Sequence, residues 1–119
     1  MIFAYTLQQV LSGDKRQTRR LIKPGQQLAE DGRAILNGQR AVYQVGRTYA
    51  VQPSGRQKAV ARIVLTGLRK ERVSAISEAD ARAEGFPSRE AFLAMWRVIH
   101  GEDADLNCDV WVFEFELAR

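Results

Sequence analysis

Gly13-Asp14-Lys15-Arg16-Gln17-Thr18-Arg19-Arg20 places a lysine, a threonine and three arginines within one octapeptide that opens on a glycine. The octapeptide lies between two apolar segments. Ahead of it, Thr6-Leu7-Gln8-Gln9-Val10-Leu11-Ser12 sets Leu7, Val10 and Leu11 at i, i+3, i+4, the spacing of a short amphipathic helix. Thr6 is the expected N-cap and Gly13 the expected stop, because glycine enters the left-handed conformation that ends helices. Behind it, Leu21-Ile22 is cut off by Lys23-Pro24-Gly25. A run this basic is ordinarily a solvated loop. Here it sits at a helix-to-strand junction, where the backbone can hold it still, and cations held together make a candidate anion or nucleotide site.

The rest of the chain alternates between the two periods of regular structure. A first strand is predicted over 16–22 and a long loop or irregular hairpin over 23–40. Within that stretch, Ala34-Ile35-Leu36 followed by Asn37-Gly38 reads as a small hairpin with a type I′ turn. Short strands over 41–43 and 48–52 flank a turn at Gly46. Residues 58–68 form the clearest strand, with Ala59, Ala61, Ile63 and Leu65 on one face. The period then changes from two to about 3.6. Ser77-x-x-Asp80 caps a short helix ending at Gly85, and Ser88 caps a second helix whose Phe92, Met95, Trp96 and Ile99 make one apolar stripe. That stripe reads as core packing. Gly101 ends the helix, and 109–117 closes the chain as a strand with Trp111, Phe113, Phe115 and Leu117 on one face. Helix, strands, two helices, strand is an α+β order.

A chain of 119 residues is expected to form one domain with a core of its own. No apolar run approaches the length of a membrane span, and the first residues lack the layout of a signal peptide. The single Cys108 permits no internal disulfide, so a cytoplasmic setting is the expectation. Cys108 and the lone His100 cannot furnish a zinc site, and neither a metal nor a cofactor is expected. The net charge of +4 conceals a division along the chain. Residues 1–72 carry 14 cations against 4 anions, and residues 73–119 carry 4 against 10. Arginine supplies 14 of the 18 cations, a preference that suits phosphate and base recognition and that a GC-rich genome would equally produce. The division also allows the basic half to pair internally with the acidic helices.

Lys15 and Thr18 are three apart, so a straight strand would put them on opposite faces. For both to line one site the chain must turn near Gly13. Thr18 and Arg20 then share a face, and Arg19 points the other way. A threonine hydroxyl needs a base to become a nucleophile, and a lysine serves only when unprotonated. Arg20 nearby and partial burial both push in that direction. A carboxylate nearby would orient the lysine or protonate a leaving group, and Glu84 is the one chosen, because at the end of a short helix its charge opposes the helix dipole and an unfavourable spot points to another use.

Gly13-x-Lys15-x-x-Thr18-x-Arg20 resembles the signature of the ASCH domain family, a branch of the PUA-like superfamily of small β-barrels. Other segments follow in the family's order. Tyr43-Gln44-Val45-Gly46-Arg47 is similar to its turn between barrel strands, with Arg47 where aspartate is commoner. Ala61-Arg62-Ile63 resembles its central strand, Ile76-Ser77 through Ala83-Glu84-Gly85-Phe86 its helix, and Trp111-Val112-Phe113-Glu114-Phe115 its closing strand. The resemblance spans nearly all of the chain. It implies a PUA-like mixed β-barrel with an N-terminal helix and two helices inserted before the last strand.

It implies functions of two classes. One is recognition of RNA or a nucleoside in a cleft, with Arg19, Arg20, Arg62, Tyr43 and Tyr49 as contacts. In that role the tyrosines would stack a base, although such tyrosines are more often half-buried barrel residues. The other is metal-independent hydrolysis: some small ASCH proteins remove the acyl group from N4-acylated cytidines, and their lysine, threonine and glutamate fall on Lys15, Thr18 and Glu84. Ribonuclease activity is a further possibility within the family, and a sensing or protein-partner module is the blandest one. The insert 23–40 and the larger second helix depart from the small amidohydrolases and alter the expected mouth of the cleft.

Overall fold

The computed structural model describes residues 1–118. Helix α1 (Leu7–Ser12) ends at Gly13, whose φ of 85° is the left-handed stop that the sequence calls for. Thr6 occupies the N-cap position, but its side chain makes no capping hydrogen bond. Strand β1 (Gln17–Leu21) follows, then β2 (Gln26–Leu28), β3 (Ala34–Asn37), β4 (Arg40–Gln44), β5 (Thr48–Val51) and the long β6 (Ala61–Arg72). After a 3-10 turn at Val73–Ala75 come α2 (Glu78–Ala83), α3 (Arg89–His100) and β7 (Asp109–Leu117). Ser77 caps α2 by accepting from Asp80 N, and Ser88 caps α3 by accepting from Ala91 N.

The strands form two sheets, one of four strands in the order β1-β7-β6-β5 and one of three in the order β2-β3-β4. The expected barrel is thus a mixed α+β fold with two sheets; among the described residues their ladders do not join into a closed ring. The sheets share a core nonetheless. Ile35 of β3 packs with Leu65, Trp111 and Phe113 of β6 and β7. On the other face of the large sheet, Val110 packs with Phe92, Leu93 and Trp96 of α3. β7 is therefore buried on both sides along its first half, as a central strand should be.

Two local expectations change. The strand predicted over 58–68 runs from Ala61 to Arg72, carried through the charged Arg69-Lys70-Glu71-Arg72 by pairing with β7. A register shift between Leu65 and Gly67 interrupts that pairing, and a Cβ on Gly67 would come within 2.7 Å of Glu114 Oε2. The hairpin turn after β3 is not type I′, because Gly38 holds positive φ (64°) at its first central position and Gln39 at the second does not. A glycine at that first position suits the mirror-image II′ geometry instead. No helix among the described residues is long and apolar enough to cross a membrane.

Candidate functional site

Three chain segments meet at the turn after α1. Lys15 N donates to Gln9 O at 2.9 Å, which folds the chain back on α1, and Arg16 N donates to Ala83 O at 2.6 Å, which ties it to the end of α2. Gly85 makes this approach possible. Its φ is 98°, and a Cβ there would sit 3.3 Å from Gln9 Cβ and 3.6 Å from Lys15 Cβ. The turn thus delivers Lys15 ahead of β1 and Glu84 at the end of α2 into the same buried space.

Lys15 is 4% exposed and Glu84 3%. Lys15 Nζ donates to Glu84 Oε1 at 2.7 Å and to the backbone Glu84 O, also at 2.7 Å. One ammonium therefore neutralises the carboxylate and also satisfies a carbonyl that the end of α2 leaves open. Burial pushes the Lys15 pKa below its ordinary value; Glu84 opposes the shift, and the nearby Arg20 and Arg19 add to it. The buried hydroxyl of Thr18 accepts from Arg20 Nε at 3.3 Å, and Arg20 Nη2 is anchored on Ile2 O at 2.6 Å. No hydrogen bond joins Lys15 Nζ to Thr18 among the described residues, so contact between them passes through whatever occupies the space.

That space is a cavity of about 640 Å³. Lys15, Thr18, Arg20 and Glu84 are among its lining residues, and so is Tyr43. Its remaining wall is aromatic and apolar. The stripe of α3 read as core packing turns out to do two jobs: Phe92 and Trp96 are buried, and together with Met95 and Ile99 they line the cavity. Trp111 and Phe113 of β7 line it from the sheet. His100 also reaches the wall, its ring 4.1 Å from that of Trp96, and burial holds its pKa below the ordinary histidine value. Sequence reasoning missed this wall, although the 3.6-residue stripe marked the face that forms it.

The other candidate contacts are placed differently. Arg19 also borders the cavity, but its side chain is fully buried and committed to carboxylates: Glu84 Oε2 at 3.2 Å, Glu71 Oε1 at 2.9 Å and Asp80 Oδ2 at 3.5 Å. Arg69 extends the network to Asp80, Glu71 and Glu114. Lys15, Arg19 and Arg69 thus spend part of the charge division along the sequence internally, as one of its two readings allows. Arg62 is exposed on β6 and donates to Thr48, away from the cavity. Tyr49 is half-buried and accepts from Gln44 N through its hydroxyl at 2.8 Å, also outside the cavity lining. Tyr43 packs edge-on against Phe113, with ring centroids 4.9 Å apart. The structure brings Lys15, Thr18, Glu84, Arg19, Arg20 and Tyr43 to one cavity and leaves Arg62 and Tyr49 apart from it. Among the described residues no cluster of metal-binding side chains occurs.

No protein-family model matches the chain, and no curated protein matches it. Solved structures do. An ASCH domain from Lactobacillus crispatus JV V101 superposes with a TM-score of 0.62 at 21% identity, over 93% of this chain and 69% of that one. A DUF984 protein from Enterococcus faecalis V583 gives a TM-score of 0.62 at 17% identity, over 94% and 69%. The chain has an ASCH-like fold; at such identities the likeness speaks of fold alone.

Proposed function

We propose that the 119 residues form one PUA-like domain of ASCH type, acting in the cytoplasm, whose cavity binds a nucleoside or a single base of an RNA. One observation carries this reading: a cavity of about 640 Å³ with aromatic walls and a polar cluster of Lys15, Thr18, Arg20 and Glu84. Its size falls within the range of about 300–1,000 Å³ typical of small-molecule sites. Aromatic walls offer a flat base its stacking surface, and the polar cluster offers its substituents a few fixed partners. Lys15 and Arg19 are already paired with Glu84, which favours a largely neutral ligand over a phosphate chain in the depth of the cavity.

A second reading, hydrolysis of N4-acylated cytidine, is favoured by the lowered pKa of Lys15. In it, unprotonated Lys15 takes the Thr18 proton as the hydroxyl oxygen adds to the acyl carbon. The proton passes to the N4 nitrogen, which leaves as the amine of cytidine. Water then cleaves the Thr18 ester by the same transfer and releases the acid. A ribonuclease reading has no comparable observation in its favour.

The test is incubation with N4-acetylcytidine and with short RNAs, following binding, acetate release and strand cleavage together. Saturable binding of the nucleoside is expected, and absence of any nucleoside or RNA binding overturns the proposal. For the hydrolytic reading, Thr18→Ala stops acetate release and leaves nucleoside affinity nearly intact. Lys15→Arg also stops it, because arginine keeps its proton. Full turnover in Lys15→Arg would sink the general-base role.

A further inference from the structure

We propose that Gln26 is the specificity-determining residue of the cavity, its amide nitrogen donating a hydrogen bond to the O2 carbonyl of a pyrimidine base. The proposal rests on the nucleoside reading and names the class of base.

The orientation of the Gln26 amide follows from its partners. Trp111 Nε1 lies 2.9 Å from one terminal atom of Gln26, and Lys23 N lies 3.0 Å from the same atom. An indole N–H and a peptide N–H can only donate, so the atom that receives both must be the oxygen. Both acceptor sites of Oε1 are thereby taken, and Nε2 is turned to the other side with two N–H donors. Among the described residues Nε2 meets no protein acceptor, and it is not one of the sealed, partnerless polar atoms; Arg19 Nε alone is that. Gln26 is half-buried and lines the cavity. It presents a neutral donor whose direction is locked by two bonds on its far side.

Its position complements the Lys15 end. Thr18 pairs with Phe113 and Arg20 with Trp111, so two strand residues, about 7 Å, separate the two pairs along the sheet. Gln26 is tethered to the indole of Trp111 rather than to the Thr18 station. A flat pyrimidine with its 4-substituent toward Lys15 and Thr18 carries its O2 on another edge, where a carbonyl needs a donor. Both cytosine and uracil have that carbonyl, whereas a ligand presenting a donor there would leave two donors facing each other, which a buried site rejects strongly.

Calorimetric titration with cytidine and with 2-thiocytidine, whose sulfur is a poor acceptor, tests the assignment in the native protein, Gln26→Glu and Gln26→Leu. Native protein binds cytidine several-fold to about tenfold tighter than the thio analogue, the span of one net hydrogen bond. Gln26→Glu keeps an acceptor for Trp111 and Lys23, retains the native unfolding midpoint and loses about tenfold in cytidine affinity. Gln26→Leu erases the difference between the two ligands. Equal native affinity for both, or an unchanged preference in Gln26→Leu, overturns the role of Gln26 and leaves the nucleoside reading standing. Failure of the native protein to bind cytidine at all overturns both.

Discussion

Around Glu84 a single carboxylate answers two buried cations, Lys15 through one oxygen and Arg19 through the other. Removing one partner leaves the others buried without compensation. Arg19→Met takes the donor from Glu84 Oε2, leaving that carboxylate to Lys15 alone, and weakens the hold on Asp80 and Glu71, so a loss of about 3–5 kcal/mol in unfolding free energy is expected in urea titration. A loss under about 1 kcal/mol would mean that solvent reaches the network. Lys15 makes a prediction in pH. Its folded pKa lies below the ordinary lysine value, chiefly through burial. Between those two values the unfolded chain binds the proton and the folded chain does not. Stability therefore rises with pH across that window, up to the ordinary lysine value, in contrast to a lysine of raised pKa. Lys15→Met removes the slope; an identical pH dependence in native protein and variant would contradict it. Both residues were legible as site candidates from charge, although the strand period turned Arg19 away from the Thr18 face. That Arg19 would be sealed among three carboxylates was not, because Glu71, Asp80 and Glu84 lie 52 to 65 residues away in sequence.

Helix α2 has six residues, too few to persist without its ends fastened. Ser77 fastens one end through Asp80 N and Lys15 the other through Glu84 O. Ser77→Ala is expected to cost about 1 kcal/mol in the same unfolding measurement with the denaturant slope unchanged. No change would mean that tertiary contacts alone hold the helix start. The capping serines, the glycine stops and β7 could be read in the sequence because each rests on local chemistry. The strand over 26–28 could not: Gln26-Gln27-Leu28 has no alternation, and its pairing comes from β3. The far end of β6 was hidden for a related reason. Arg69 and Glu71 look solvent-bound until their partners are brought in, Asp80 of α2 and Glu114 of β7 for the first and Arg19 of β1 for the second.

Over the whole molecule, the charge of the first 72 residues divides into a paired share, Lys15, Arg19 and the half-buried Arg69, and an exposed share that includes Arg33, Arg40 and Arg62. If an RNA strand accompanies the base, its affinity falls with salt by a log–log slope of about 0.7 for each phosphate neutralised. Arg62→Ala is expected to lower that slope if the strand crosses β6, and Arg19→Met is not, because its guanidinium never reaches solvent. Salt-independent binding would assign the cavity to a free nucleoside. The α+β class and the element order were available from periodicity. The splitting of the strands into two sheets was not, because nothing local to β4 or β5 states which neighbour each will take.

The two bonds that Lys15 makes to Glu84 have an arithmetic of their own. An ammonium has three hydrogens and a neutral amine has two. Both protonation states can therefore keep the same two contacts, at 2.7 Å each, while the third tetrahedral direction alternates between a hydrogen and a lone pair. Titration at this nitrogen would then be silent in the scaffold. The fastening of α2 survives in either form, and the group that trades the proton never has to let go of the helix it holds.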